Sequence, residues 1–192
     1  MLNRVAAMCD ETDLDRFRAY LTILARTHLG NRFERRLDAS DIVQTTLLEA
    51  HQKRGEFRGA ASAELAGWLR AILVNNIADA IRAQVRDKRD IRRERSLEAN
   101  IEDSFARADA WLAAEQSSPS AQLMRSEQQL ALADAIARLP ADQADAIVQY
   151  HLRGMSLREL AEHFERSEAA VAGLLHRGLK QLRQLMARGD VE

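Results

Sequence analysis

The sequence predicts an all-α protein, built as two small helical domains joined by a flexible acidic linker. Glycine and proline are scarce, 8 and 2 of 192 residues, while Ala, Leu, Arg and Glu, which lose little rotamer freedom in a helix, dominate. Apolar residues recur at three- and four-residue intervals, the period of an amphipathic helix rather than the alternation of a strand. That periodicity weakens over residues 96–118, where acids and small polar residues gather, and it divides the chain into a first domain at 10–95 and a second at 119–188.

Leu14, Phe17, Leu21, Leu24, Ala25 and His28 form the inner stripe of a first helix that ends at Gly30, where glycine tolerates the left-handed turn that stops a helix. Asp38 is placed to cap a second helix, with Ile42, Val43, Leu47 and Ala50 inward and Gly55 closing it. A loop from Gly55 to Gly67 then holds Phe57, Arg58 and Gly59. A longer third helix turns Leu65, Leu69, Ile72, Leu73, Asn76, Ala80 and Ile81 to one side and runs into a basic stretch, with seven basic residues against three acidic over 82–95.

Within the linker, Glu98 to Gln116 carries five acids against the one Arg107, and a short helix could form around Trp111. Ser118-Pro119 starts the next helix, since proline at the first helical position gives up an N–H that has no partner there. Leu123, Leu130, Ala133, Ile136 and Ala137 mark that helix, and Leu139-Pro140 stops it. Another runs from about Ala141 to Arg153 and ends at Gly154. Ser156 with Glu159 spells a capping box that opens a short helix through Leu157, Leu160, Ala161 and Phe164. After a break at Glu165-Arg166, Ser167 can cap a last helix with Val171, Leu174, Leu175, Gly178 and Leu182 inward.

Formal net charge is −1, so any attraction to phosphate has to come from local clusters of charge. Cys9 stands alone, which rules out an intramolecular disulfide or a multi-thiolate metal site and suits a reducing compartment. No signal pattern and no apolar run of about 20 residues is present, so a cytoplasmic protein without membrane insertion is expected. His28, His51, His151, His163 and His176 are dispersed, with no His-Glu-x-x-His pair and no glycine-rich phosphate loop. An enzyme is therefore not expected, and no catalytic residue, metal or cofactor is assigned.

Two short helices joined by a tight break, the second basic toward its C-terminal end, form the pattern of a helix-turn-helix. Residues 166–188 carry five basic residues against one acidic. The outward face of the last helix would carry Ala169, Ala172, Gly173, His176 and Lys180, flanked by Arg166 and Arg177, and such a helix fits a B-DNA major groove. Taken alone, the same pattern also describes an ordinary packed helix pair.

Its context is more specific. Leu139-Pro140, Gly154-Met155-Ser156-Leu157-Arg158-Glu159-Leu160-Ala161, and Ala170-Val171 through Leu175-His176-Arg177 resemble region 4 of bacterial RNA polymerase sigma factors. Asp38-Ala39-Ser40-Asp41-Ile42-Val43-Gln44 resembles region 2.2, and Phe57-Arg58-Gly59 resembles the loop that follows it. Trp68-Leu69 with Asn75, Asp79 and Arg82 resembles regions 2.3 and 2.4. The resemblance covers nearly all of the chain after about Asp10, with no region 1.1 and no folded region 3, the arrangement of the extracytoplasmic-function group of the sigma-70 family.

That resemblance implies an alternative sigma factor whose partners are RNA polymerase core, promoter DNA and an anti-sigma factor. Asp41, Gln44, Leu47 and Leu48 would bind the clamp helices of polymerase, although Leu47 could instead pack internally. Phe57, Arg58, Trp68, Asn75, Asp79, Arg82 and Arg86 would recognise and melt the minus-10 element, the loop capturing a flipped base and the helix holding phosphates of the displaced strand. Trp68 could instead be plain core. Arg166, Ser167, Ala172, Gly173, His176, Arg177 and Lys180 would meet minus-35 DNA. Many relatives have Lys-Ser-Arg where this chain has Ala172-Gly173-Leu174, so modest minus-35 affinity leaning on His176, Arg177 and Lys180 is expected. The acidic linker would thread a basic channel of polymerase. The competing reading is a helix-turn-helix regulator that never binds polymerase, which would need neither Asp41 and Gln44 nor the Trp68-to-Arg82 set.

Overall fold

The computed structural model describes residues 14–34, 37–59, 61–86 and 119–189, the side chains of 30–36, 85–86, 119–126 and 189 excepted. Cys9, the basic run beyond Arg86, the whole of 96–118 with Trp111, and the side chain of Leu123 lie outside these limits.

Helix α1 spans Arg18–Glu34, led in by a turn at Leu14. Its inner stripe of Phe17, Tyr20, Leu21, Leu24, Ala25 and Leu29 is buried. Gly30 does not stop it. A glycine inside a helix costs only about 1 kcal/mol, and the helix runs on through Gly30-Asn31 to Glu34. Helix α2, Ala39–Gln52, begins as expected at Asp38, whose carboxylate accepts from the Ser40 N–H at 2.8 Å. It ends before Gly55, which sits within a 3₁₀ turn at Arg54–Glu56.

Helix α3 spans Ser62–Arg86 and so starts earlier than the glycine-rich loop suggested, with Gly67 inside it. The Glu64 carboxylate accepts from the Ala61 N–H at 3.1 Å, satisfying a donor that the first turn leaves orphaned. Leu65, Leu69, Ile72, Leu73, Ile77 and Ile81 are buried against α1 and α2.

Helix α4, Pro119–Ala137, opens at the expected proline. Helix α5 covers only Ala141–Ile147, after which the backbone widens into a π turn at Val148–Leu152. The Arg153 N–H reaches back five residues to Val148 O at 3.1 Å, and Gly154 leaves the turn at φ +72°. Gln149 is buried there but satisfied, donating to Asp145 and accepting from Arg153. Helix α6, Leu157–Phe164, carries the complete Ser156–Glu159 capping box. Helix α7, Glu168–Gly189, buries Val171, Leu174, Leu175, Gly178 and Leu182.

Among the described residues every regular element is helical. α1, α2 and α3 form one packed unit, and α5, α6 and α7 form a second. α4 packs on α7 and also on α1 and α3, so it joins the two units. At that junction Arg16 donates to both Glu127 oxygens at 2.6 and 2.8 Å, and to Ser62 Oγ at 3.3 Å.

Candidate nucleic-acid interface

On α2, Asp41, Gln44 and Leu48 share one exposed face, with Thr45 and Gln52 between and beyond them. Leu48 is 57% exposed, while the other apolar residues of the helix are inward. Leu47 is a correction. It is 7% exposed and packs in the core, because its position, one turn from Val43, points it at the neighbouring helices. The outward face is thus Asp41, Gln44, Thr45, Leu48 and Gln52.

Trp68, Asn75, Asp79 and Arg82 fall at spacings of seven, four and three residues, which places them along one side of α3. Asn75, Asp79 and Arg82 are exposed, and Arg82 is ion-paired with Asp79. Arg86 closes the helix, and its side chain lies outside the described residues. Trp68 is half-buried against the core, so the structure makes it both packing and surface. The Phe57 ring lies 5.2 Å from the Trp68 ring at 35°, and the Arg54 guanidinium stands 5.6 Å from the Phe57 ring centroid. A side chain at Gly59 would run into the Phe57 ring and the Glu64 carboxylate, so glycine lets the Phe57 ring lie against this loop. Arg58 is exposed beside the stack.

In the second unit, α6 and α7 form the helix-turn-helix. The break is made by Glu165 in the left-handed conformation at φ 53°, a position usually left to glycine or asparagine. Ser167 Oγ accepts from the Ala170 N–H at 3.2 Å, so Ser167 works as a cap. Ala169, Ala172, His176, Arg177 and Lys180 are exposed along α7, with Gly173 half-buried, and Arg183 continues the stripe past the expected set. Gly173 leaves room for Arg177, whose Nη1 would lie 3.3 Å from a Cβ there. Arg166 differs from these cations because it is paired with Asp142 at 2.9 Å and lies over the Phe164 ring.

Asn76 and Glu49 were not singled out from the sequence as site residues. The Asn76 amide donates to Thr46 Oγ1 at 3.2 Å and to Glu49 Oε2 at 3.1 Å, tying α3 to α2. The Lys53 ammonium, 2.6 Å from Glu49, holds that carboxyl below the usual range, and the Asn76 amide adds to the effect against the opposing pull of burial. A polar residue within an otherwise apolar inner stripe was the available signal.

Among the described residues no cluster of three or more His, Cys, Asp or Glu is arranged to hold a metal, and no helix is long and apolar enough to cross a membrane. The matches with known proteins follow the same two units. Residues 16–87 match the family model for sigma-70 region 2, and residues 129–182 match that for sigma-70 region 4. The chain is 31% identical over 153 residues to ECF RNA polymerase sigma factor SigF of Caulobacter vibrioides, covering 80% of this chain and 73% of that one. It is 30% identical over 154 residues to RNA polymerase sigma factor CarQ of Myxococcus xanthus, covering 80% and 78%. It is 29% identical over 149 residues to ECF RNA polymerase sigma factor SigM of Mycobacterium tuberculosis, covering 78% of this chain and 64% of that one.

Proposed function

The chain belongs to the sigma-70 family, in its extracytoplasmic-function group, and is an alternative sigma factor that directs RNA polymerase core to promoters; from that premise we propose how its surfaces divide the work. The outward face of α2, with Asp41, Gln44 and Leu48, binds the clamp helices of polymerase. An exposed leucine flanked by a carboxylate and an amide suits a partner helix, and Leu48 is the observation that carries this reading. A regulator that only bound DNA would have no use for it.

The stripe of α3 holds the unpaired minus-10 strand. From Trp68 to Arg82 it runs roughly 21 Å at about 1.5 Å per residue, enough to follow several nucleotides. Trp68 offers a half-buried aromatic surface at the edge of the melted duplex, Asn75 and Asp79 face bases, and Arg82 and Arg86 meet phosphates. The Phe57–Arg58–Gly59 loop shapes the pocket for a flipped base, with Phe57 bracing Trp68 as Arg58 faces the strand. Helix α7 docks in the major groove of minus-35 DNA, with His176, Arg177 and Lys180 reaching bases and phosphates and Ala172 and Gly173 allowing close approach. Ser167 and Arg166 hold the turn that aims α7, Arg166 from its ion pair with Asp142.

We assign residues 10–95 to the polymerase and minus-10 unit, 119–188 to the minus-35 unit, and 96–118 to an acidic connector lying in a basic channel of polymerase. Polymerase performs the chemistry. An anti-sigma factor covering the same faces would hold the protein inactive.

Reconstitution with core polymerase on a library of promoter DNA tests this division. Asp41→Ala and Leu48→Ala are expected to lower core affinity. Trp68→Ala is expected to slow opening on duplex templates but less on premelted ones. Undiminished core affinity in both α2 variants would contradict the assignment of that face, and an equal defect on premelted DNA would contradict the melting role of Trp68.

A further inference from the structure

The seam between α2 and α3 holds a polar contact among its buried apolar residues. There Thr46, fully buried, donates to the Ile42 carbonyl at 2.8 Å and accepts from the Asn76 amide. The same amide nitrogen donates to Glu49, whose other oxygen accepts from Lys53 at 2.6 Å. Asn76 follows Asn75, which faces outward on the strand side of α3, and Glu49 follows Leu48, which faces outward on the polymerase side of α2. One side chain therefore ties together the two helices that carry the working faces.

Apolar packing of about the right size specifies a fold but gives up uniqueness before stability, whereas a polar contact must find its partner. A pair of hydrogen bonds, one to an ionised carboxylate, exists in one register only, and a buried polar contact of this kind is a known device for fixing register. Two hydrogens on one planar amide, pointing at acceptors three residues apart on a neighbouring helix, set both the axial position and the rotation of that helix.

We propose that Asn76 is a positioning residue in promoter opening, fixing α2 on α3 so that the polymerase-binding face and the strand-holding face keep one geometry. Asn76 touches neither partner; it acts through Glu49 and Thr46. The proposal rests on the division of faces given above and adds a residue that division does not use.

The test uses the full chain with core polymerase and promoter DNA, and reads three quantities: thermal unfolding, core affinity, and the rate of opening on duplex DNA. Asn76→Leu keeps the branching at Cγ and removes both bonds. It is expected to unfold at or above the wild-type temperature and to bind core within about twofold, while opening falls about tenfold, the scale of one lost hydrogen bond to a charged group. Asn76→Asp replaces the donor with a carboxylate facing Glu49, and opening is expected to fall further. Adding Glu49→Gln to Asn76→Asp restores a donor–acceptor pair in reverse and is expected to recover most of the rate.

A purely structural role would move unfolding, core affinity and opening together. Normal opening in Asn76→Leu would overturn the proposal, as would a defect in Asn76→Asp that Glu49→Gln leaves unrepaired. If Asn76→Leu does not fold, the Asp/Gln pair decides alone. Failure of the wild-type protein to bind core would instead count against the division of faces.

Discussion

Two interfaces in this molecule are made differently. The α2–α3 seam encloses a buried hydroxyl and an amide bonded to a carboxylate, with apolar packing around them. The junction at α4 is locked on its rim by Arg16 and Glu127, whose side chains are 39% and 53% exposed. A polar contact within the seam is satisfied in one register and so fixes how the two helices sit, whereas an exposed ion pair contributes roughly 0–1 kcal/mol because water and salt replace it readily. The first is built to stay as one body. The second is built to exchange.

Promoter geometry requires the same distinction. Elements at minus-10 and minus-35 lie about 25 base pairs apart, some 85 Å at about 3.4 Å per base pair. A folded chain of this length has a radius of gyration of roughly 16 Å, so its closed form cannot reach both. On the proposed division of surfaces, the α1–α3 unit would go to polymerase and the strand as one piece, and the helix-turn-helix unit would have to part from it.

The largest expected effect lies inside a unit. At Gly178 an added Cβ would sit 3.0 Å from Ile147 Cδ1 and 3.3 Å from Gln143 Cβ. Gly178→Leu is expected to destabilise the α5–α7 unit by about 1–3 kcal/mol in thermal unfolding while core affinity stays unchanged. Next comes Ser156→Ala, which breaks the capping box for about 1 kcal/mol. The Ser156 backbone and hydroxyl hold the Glu159 carboxyl below its usual range. Its contribution is therefore complete above the ordinary carboxylate value of about 4.3 and is lost as pH falls through the lowered one, a slope that Glu159→Gln should flatten in acid unfolding.

A smaller effect is expected at the junction. Arg16→Glu should lengthen the mean distance between fluorophores on α2 and α7 in the free protein, and adding Glu127→Arg should shorten it again. An unchanged distance in the single variant would mean that apolar packing alone closes the molecule. The smallest effects concern minus-35 binding. Among the described residues Arg177 and Lys180 have no ionic partner, so Arg177→Ala and Lys180→Ala should each lower the salt slope of DNA binding by about 0.9. Arg166→Ala should lower it less, since Arg166 is already neutralised by Asp142.

Much of this was legible in the residues. Caps at Asp38, Ser156 and Ser167 act within one turn, so their chemistry reads directly from spacing. The inward positions of α7 follow the helical period and are buried as expected. Glycines were less legible, because Gly30 and Gly67 permit a turn without requiring one and tertiary packing carried both helices through. Leu47 and Leu48 are chemically alike, and only the rotation of α2 against its neighbours decides that one is core and the other surface. Ala137, expected inward, is exposed at the helix end, where the chain turns away toward Leu139. The π turn at Val148–Leu152 has no local signature in the residues, and the segment packs against α1 and α6, far from it in sequence or beyond the next turn. Asn76 stood in the expected stripe, but the partners that give it meaning lie 27 and 30 residues away.

The most direct test is a distance measured between fluorophores on α2 and α7, first in the free protein and then in the complex with core polymerase at a duplex promoter. The account predicts a short distance in the first and a separation approaching the spacing of the two elements in the second, with the α2-to-α3 distance the same in both. A promoter complex that initiates transcription with the α2-to-α7 distance still short would contradict it.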